Sequence, residues 1–329
     1  MASSTPFSGP SSSSPSPSIL EDEGPRNWAE LPPELTATIL HRLGAVEILT
    51  TAQMVCKWWR SVSKDPSMWR EIDMRNSGDL QSMEHDLEIM CLHAVGRSLG
   101  GLVGINIEYF GTDSLLASIA DSSTHLQRLR LVSCYEITDE GLVEAVMKLP
   151  LLEDLEVSYC SVSGDALRAV GRSCPLLKTL KLNCPGYRRP RIECDDDALA
   201  IAQSMPELRH LQLFGNRLTE TGLYAILDSC PHLEHLDLRQ CFNLNLVGNL
   251  GKRCSEKIKD LRRPNDPTDD YAFDATVIDM VSSDDDYPYG FSDIDLLSDD
   301  EYHYEFSGAS DYSDYGNYDY DYYDDEFFL

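Results

Sequence analysis

The side chains best suited to chemistry here are ten cysteines and eight histidines, and their spacing favours no metal or catalytic site. No CxxC pair occurs, and the closest approaches are Cys91 with His93 and Cys184 with Cys194. Paired ligands at short spacing are typical of zinc sites, and the two approaches here do not form such a pattern. No Ser/His/Asp or nucleophilic Cys/His pattern indicates a catalytic site either. We therefore expect free thiols that pack as small apolar side chains, no metal, no cofactor and no enzyme activity.

The one basic cluster consists of Arg188, Arg189 and Arg191. Guanidinium groups form paired hydrogen bonds with phosphates and carboxylates, so this cluster suits phosphate or acidic groups as ligands. It also suits the acidic C-terminal tail of the same chain. The residues alone leave both ligands open.

Charge divides the 329 residues unevenly, with 56 Asp and Glu against 27 Lys and Arg and a formal net charge of −29. Residues 264–329 hold 21 of the acidic residues and no basic one. This balance argues against direct binding to nucleic acid. The lack of a long apolar run argues against a membrane span, and the N-terminus does not read as a signal peptide. We expect an intracellular protein, in the nucleus, the cytoplasm or both, that is not secreted.

Composition predicts four parts in the chain. Residues 1–25 are rich in Ser and Pro and should be disordered. Residues 26–72 are dense in apolar side chains, and residues 73–263 contain a repeat. Residues 264–329 carry 11 of the 16 tyrosines among acidic residues, which predicts a disordered tail because self-repulsion opposes packing. Such a tail serves either as a solubilising segment or as an acidic interaction segment.

The repeat has the form Leu-x-x-Leu-x-Leu, and its starts are separated by 24, 26, 25, 31, 25 and 25 residues. An apolar segment with helical spacing follows each strand-like motif, and the pentapeptide 94–98 recurs at 169–173. One unit cannot bury its own apolar face, but stacked units share a continuous core. The fold class is therefore α/β, a solenoid of about six repeats plus a partial one, with parallel strands on the concave face and helices on the convex face. The starts are Leu102, Leu126, Leu152, Leu177, Leu208, Leu233 and Ile258.

Over residues 86–263 this pattern resembles the cysteine-containing class of leucine-rich repeat. Thr138 or Asp139 suits the N-cap of the helix that follows one of the cysteine positions. The longest unit departs from the pattern at residues 185–191, which should emerge as a loop at the edge of the solenoid. The small residues at the recurring cysteine position are Cys134, Cys160 and Cys241, with Asn216 in another unit.

The N-terminal module, residues 26–72, contains all four tryptophans of the chain. Large aromatic side chains in so small a module indicate either a surface that a partner buries or a small core that gains area from Trp. In order and spacing the module resembles an F-box, and its ends are similar to those of plant F-box/leucine-rich-repeat proteins. The matching residues are Leu31-Pro32, Glu34-Leu35, Ile39-Leu40, Leu43, Val55-Cys56, Trp59, Asp65-Pro66 and Trp69. The matching ends are Asn27-Trp28 and Pro66-Ser67-Met68-Trp69-Arg70.

This resemblance implies docking on the Skp adaptor of a cullin–RING ubiquitin ligase. The chain would then be a non-catalytic substrate-recognition subunit, with the module bound to the adaptor and the repeats bound to a protein target. The role of Trp58 is left open because the family usually has a polar or basic residue there. The implied adaptor-binding residues are Leu31, Pro32, Leu35, Ile39, Leu40, Leu43 and Leu49, supported by Val55, Trp59 and Trp69.

Target binding should use strand side chains that point out of the concave face. Phe214 is the strongest candidate, because exposed aromatic side chains are enriched at interfaces. The same residues are also compatible with an ordinary solvated sheet face. The candidates are Arg128, Arg130, Asp154, Glu156, Lys178, Lys181, His210, Gln212, Phe214, His235, Asp237 and Arg239.

Two other functions compete with the receptor. The first is a repeat scaffold or chromatin-associated binder that works through its acidic tail and uses the N-terminal module only as a cap. The second is a ligase that carries ubiquitin on a cysteine, which would need a thiol in an electropositive setting, and none is evident.

Overall fold

A computed structural model describes residues 31–76, 78–80, 85–189 and 191–279 of the chain. The Ser- and Pro-rich segment 1–25, the Asn27-Trp28 opening and the tail from residue 280 onward lie outside the described residues.

The N-terminal module is built from short helical segments. Its first helix begins where a Leu-Pro-Pro sequence places Pro33 in the first turn, a position whose amide needs no helical partner. The Cys56 thiol accepts a hydrogen bond from the Trp59 amide at the start of another helix. The segments are α1 Pro33–Leu40, α2 Ala45–Glu47, a π-helical turn Ile48–Ala52, α3 Gln53–Val55, α4 Lys57–Ser63 and a 3-10 turn Pro66–Trp69.

The remaining chain forms one parallel eight-stranded sheet, as the repeat predicts. A helix separates each strand of the sheet from the next, and the strands pair in chain order apart from one inserted strand that lies outside this sheet. The strands are β1 Glu71–Met74, β2 Gly104–Glu108, β3 Arg128–Val132, β4 Asp154–Ser158, β5 Thr179–Asn183, β7 His210–Gln212, β8 His235–Asp237 and β9 Asp260–Arg262. The helices are α5 Leu87–Arg97, α6 Asp113–Ser122, α7 Asp139–Val146, α8 Gly164–Ser173, α9 Asp196–Ser204, α10 Glu220–Ser229 and α11 Gly248–Lys257.

The register of the sheet places the same repeat position side by side in every strand. Leu129 pairs with Leu155, which pairs with Leu180, and the row continues to the last strand. Leu129, Leu155 and Leu180 are 0–1% exposed, so the predicted core is confirmed, and only Leu261 at the end of the row is half-buried. Strand β1 was not predicted, because its sequence Glu71–Met74 lacks the Leu-x-x-Leu pattern although Ile72 pairs with Ile105.

Acidic side chains at the helix starts tie one repeat to the next. Asp113 accepts hydrogen bonds from the amide and the hydroxyl of Thr138, at 2.8 and 2.7 Å. Thr138 in turn caps α7 by accepting from the Gly141 amide, which settles the choice between Thr138 and Asp139. Asp195 and Thr219 repeat this arrangement later in the solenoid.

Most of the cysteines are packed as expected. Cys91, Cys134, Cys174, Cys230, Cys241 and Cys254 are buried free thiols. Burial raises the pKa of the Cys91 thiol to about 12, which keeps it protonated and unreactive at neutral pH. The expectation fails for Cys194, which is exposed two residues before α9 in the longest repeat.

The predicted boundary of the tail at residue 264 is too early. Residues 264–279 lie against the solenoid, and their last two residues form β10 Ile278–Asp279. This strand pairs in parallel with β6 Tyr187–Arg189, which belongs to the segment expected to be an edge loop. We call residues 264–279 the strap.

Replacing a leucine of the buried row should destabilise the whole solenoid. Leu180→Ala removes a side chain that is 0% exposed in β5, and we expect its free energy of unfolding to fall by about 2–5 kcal/mol. Urea denaturation followed by circular dichroism measures the change. The control is Met147→Ala, at a side chain that is 62% exposed, which should change stability by less than about 0.5 kcal/mol. Equal changes in the free energy of unfolding for the two substitutions would contradict the claim that the leucine row forms the core.

Candidate functional site

The N-terminal module exposes apolar side chains on its first helix, in the turn after that helix and at the end of α3. Leu35 is 53% exposed, Leu43 is 41% exposed and Val55 is 61% exposed. Pro32 is also exposed, while Leu31 and Ile39 are half-buried. Residues four apart share one side of a helix, so Leu35 and Ile39 form a stripe on α1. Exposed apolar side chains at this density on a small module suit burial by a partner protein.

Three of the predicted adaptor-binding residues lie in the core instead. Leu40 and Leu49 are 0% exposed and Trp69 is 1% exposed, so none of them is available for direct contact at the surface. They are buried because the short segments of the module need large side chains to fill its centre. Trp59 is half-buried and packs against the same core. The structure corrects the predicted set accordingly, since these residues build the module behind the exposed ones.

Two tryptophans fix the module internally and against the repeats. The Trp58 indole donates to the Thr36 hydroxyl at 3.2 Å, which joins α4 to α1 and gives this residue a structural role. The Trp69 indole donates to the Ser63 carbonyl at 2.8 Å. The Arg97 guanidinium lies 5.5 Å from the centre of the Trp69 ring, a cation–π contact between the module and α5.

Arg97 also bonds the module through a second group, donating to the side-chain oxygen of Gln53 at 3.2 Å. The Gln53 amide nitrogen in turn donates to the Leu49 carbonyl. Because Gln53 and Trp69 both belong to the module and Arg97 belongs to the first repeat helix, the module and the solenoid form one continuous packed unit. A partner bound to the module is therefore held in a defined position relative to the repeats.

The concave face carries ion pairs that run from strand to strand. Arg130 bonds Glu108 on one side and lies 3.2 Å from Glu156 on the other. Lys181 lies 3.2 Å from the same Glu156 carboxylate. Five more of the predicted concave residues have polar partners. Lys178 contacts Glu153, Gln212 contacts Asn183 and His235 contacts Asp260 in the neighbouring repeat, whereas Arg128 reaches Glu71 two strands away and Asp237 pairs with Arg239 at the end of its own strand.

The predicted exposure of the concave face is wrong at three positions. Phe214 is 1% exposed, Glu156 is 4% exposed and Arg239 is 5% exposed. Glu156 is buried between the cations of neighbouring strands. Phe214 and Arg239 are buried because the strap lies over them. Asp154 is half-buried, and this burial raises the pKa of its carboxyl group.

Aromatic side chains of the strap pack onto the concave face. The Tyr271 ring stacks on Phe214 with centroids 3.7 Å apart and planes 2° apart. Phe273 meets Tyr159 edge to face at 5.4 Å. The hydroxyls of Tyr159 and Tyr271 are 2.9 Å apart, and burial raises the pKa of the Tyr271 phenol. Stacked and edge-to-face pairs of this kind stabilise contacts beyond the area that they bury.

Polar contacts hold the strap at both ends. Arg239 donates to the Pro267 carbonyl at 3.0 Å and to the Asp270 carboxylate at 2.5 Å. The Gln240 side chain donates to the Ala275 carbonyl at 2.5 Å. The Ile278 amide donates to the Gly186 carbonyl at 2.8 Å. A Cβ at Gly186 would meet the Gln240 side chain at 2.0 Å, so this close approach requires glycine.

The basic cluster lies next to the end of the strap. Arg189 is 3.9 Å from the Asp279 carboxylate, and the Arg188 guanidinium lies 4.9 Å from the centre of the Phe242 ring. Of the two ligands left open for this cluster, the start of the chain's own acidic tail is the one in contact. The strap was not predicted because its acidic and aromatic composition indicates disorder. The two aromatic side chains at Tyr271 and Phe273, spaced two residues apart, were the one sign that it packs.

Two open cavities flank the strap on the concave side. One of about 370 Å³ is lined by His210, His235 and Asp270 among others. A larger groove of about 1140 Å³ is lined by Arg130, Tyr159 and Phe273 among others. Within the described ranges, no group of three or more His, Cys, Asp or Glu is placed to hold a metal ion. No helix in the same ranges is long and apolar enough to cross a membrane.

The stacked pair His210 and His235 generates a pH-dependent prediction. Their ring centres are 4.4 Å apart, and burial together with the charge that His235 gains on protonation lowers the pKa of His210. NMR titration should show a pKa of His210 below the ordinary value of 6.5, and His235→Ala should raise this pKa part of the way back. Because the unfolded chain binds this proton more readily, the associated stability is present above about pH 6.5 and is lost as the pH falls.

The control for this titration is His232→Ala, at an exposed histidine on the chain segment before β8. It should leave the pKa of His210 unchanged. Equal shifts in the two variants, or a His210 that titrates at the ordinary value, would contradict the stacked arrangement.

Comparison with known proteins places both parts of the chain. The family model described as F-box-like matches residues 28–75. Models described as FBD-associated F-box protein At5g56370, LRR repeats, and as Leucine Rich repeat match residues 93–195 and 205–227. The yeast complex of Rad7 and Elc1 contains a chain that is 14% identical, with a TM-score of 0.38, over 60% of this chain and 58% of that one.

Two curated relatives come from Arabidopsis thaliana. The F-box protein SKIP19 is 61% identical over 313 residues, which cover 94% of this chain and 99% of that protein. The F-box protein SKIP1 is 30% identical over 272 residues, which cover 75% of this chain and 89% of that protein. With the helical module and the parallel repeat sheet described above, these matches show that the chain belongs to the plant F-box/leucine-rich-repeat family.

Proposed function

We propose that this chain is the substrate-recognition subunit of a Skp–cullin–F-box ubiquitin ligase. The F-box would dock on the Skp adaptor, and the repeats would hold a protein target for ubiquitination. The observation that carries the proposal is the set of exposed apolar side chains, Leu35, Leu43 and Val55, on a module that matches the F-box-like family.

The mechanism is tethering, and the chain itself performs no chemistry. A target held on the solenoid is brought close to a ubiquitin-charged enzyme, which raises the effective concentration of its lysines. The contacts of Arg97 with Trp69 and Gln53 support this mechanism, because they hold the F-box and the first repeat together. The partners in this proposal are the adaptor, a cullin–RING ligase and a protein target, with no direct contact to nucleic acid or membrane.

The alternative is a scaffold or chromatin-associated binder that acts through its acidic tail and uses the module as a cap. The module does pack against the first strand and the first repeat helix, which is what a cap requires. The tail from residue 280 onward lies outside the described residues. Binding to basic proteins that depends on the tail and survives mutation of the F-box would favour this alternative.

Adaptor binding should depend on the exposed apolar side chains of α1 and of the turn that follows it. The double variant Leu35→Asp, Leu43→Asp places charge on the proposed interface and leaves the buried core unchanged. We expect the Kd for a purified Skp adaptor, measured by calorimetry, to rise about 30-fold or more, which corresponds to about 2 kcal/mol of lost binding energy.

The matched control is Ile89→Asp, which changes a side chain that is 63% exposed on α5 of the repeats. It should bind the adaptor as the unchanged chain does. Circular dichroism must show that all variants remain folded. The receptor proposal is rejected if the double variant binds the adaptor as tightly as Ile89→Asp does, or if the unchanged chain does not bind it.

A further inference from the structure

We propose that the strap is an intramolecular ligand, and that the concave surface beneath it is a binding site for an acidic peptide segment with two aromatic residues two positions apart. We define the strap site as Arg130, Tyr159, Phe214, Arg239 and Gln240. The inference rests on the proposed function in one respect, since it takes the natural ligand to be a segment of the target. The target would then contain an acidic segment with two aromatic residues two positions apart.

The two aromatic residues of the strap occupy separate places on the concave face. Tyr271 lies flat on Phe214, whose centroid is 3.7 Å away. Phe273 meets the edge of Tyr159 at 5.4 Å, and the Arg130 guanidinium lies 5.3 Å from the centre of the Phe273 ring. Each aromatic side chain therefore has its own aromatic partner on a different strand end. This arrangement selects for spacing as well as for residue type.

Charge complementarity selects the residue before the first aromatic side chain. Asp270 accepts a hydrogen bond from Arg239 and lies 3.2 Å from Arg262. The Arg239 side chain is only 6% exposed, and Asp237 holds it in place at 2.7 Å. Arginine keeps its charge, and the Nε and Nη2 groups of Arg239 bond Asp237 while Nη1 bonds the strap, so Nη1 favours a carboxylate at this position of a ligand. The preferred ligand therefore begins with an acidic residue followed directly by an aromatic one.

Other contacts to the strap use its backbone and so do not depend on its sequence. Arg239 and Gln240 donate to the carbonyls of Pro267 and Ala275. The Ile278 amide donates to the Gly186 carbonyl, and β10 pairs with β6 in a separate two-stranded parallel sheet. Strand addition and carbonyl contacts of this kind are available to any extended segment. A different chain with the same acidic and aromatic pattern can therefore replace the strap.

Two residues of the strap site are held in a strained backbone conformation. Tyr159 has φ 56° and Gln240 has φ 60°, and Gly215 fills the equivalent turn after β7 at φ 70°. Glycine adopts this left-handed region without strain, whereas larger residues do so at a cost. At Tyr159 and Gln240 the side chains are the groups that contact the strap. The same conformation occurs at Tyr109 and Ser133, so it belongs to the turn that follows each strand, and the strap site uses the side chains that this turn presents.

The groove beside the strap leaves space for a longer ligand. It is lined by Tyr159 and Phe273 and extends to Tyr109 and Arg75 near the F-box end of the sheet. A target segment that displaced the strap would therefore find additional surface along the same face. Because a tethered segment acts at a high effective concentration, the strap sets a threshold that only a matching ligand overcomes.

The test uses the full chain and a fluorescent peptide with the sequence of residues 266–279 as the probe. The strap variant Tyr271→Ala, Phe273→Ala unseats the intramolecular ligand and leaves the strap site intact. We expect fluorescence anisotropy to show that this variant binds the peptide at least about tenfold more tightly than the unchanged chain does, because the site is no longer occupied. A peptide with both aromatic residues replaced by Ala should bind to neither chain.

Equal peptide binding by the two folded chains, or equal binding of the two peptides, would overturn the inference. If the strap variant does not fold, the unchanged chain still decides the question by hydrogen exchange. Excess peptide should then increase exchange at the Ile278 amide, and no increase would overturn the inference.

Adaptor binding by the same strap variant separates this inference from the proposed function. A variant that binds the adaptor normally but gains no affinity for the peptide rejects only the strap site. If the strap variant gains peptide affinity but neither it nor the unchanged chain binds the adaptor, the result supports the strap site and rejects only the ligase role.

Discussion

The structure depends on one constraint, which is that no single repeat can bury its own apolar face. The row that contains Leu129, Leu155 and Leu180 is buried because each leucine lies beside its counterpart in the next strand. Stability in such an array is close to a sum of neighbour contacts, so a repeat at the end lacks one neighbour and must be covered by another part of the chain. The F-box covers the N-terminal end, and the strap lies over part of the concave face.

The F-box closes the N-terminal end of the array and still exposes apolar side chains. Trp69 and Leu49 fill its core, and Arg97 of the first repeat helix covers the Trp69 ring. Leu35 and Val55 are left at the surface, where the proposed adaptor would cover them. The module remains attached to the solenoid despite its thin core because its buried residues, and not its exposed ones, contact the first repeat. This arrangement also separates residues that build the docking surface from residues that would touch the partner.

The fold was predictable from the sequence because the repeat is long and regular, whereas the site was predictable only in part. Spacing identified the strands that contain Leu129 and Leu211, but β1 has no such pattern and was missed. Position within a strand predicted that Phe214 points out of the sheet, yet it could not show that Tyr271 covers it. Contacts between residues so distant along the chain depend on tertiary packing, and local composition in the strap indicated disorder instead.

Hydrogen–deuterium exchange on the full chain, with and without the purified Skp adaptor, tests the central claim most directly. The claim is that this chain joins the adaptor through its F-box and that the adaptor does not contact the concave face, where a target would compete with the strap. The account predicts that the adaptor slows exchange in α1 and α3 and leaves the strap and strands β7 to β9 unchanged. Adaptor-dependent protection confined to the strap, or no protection anywhere, would contradict it.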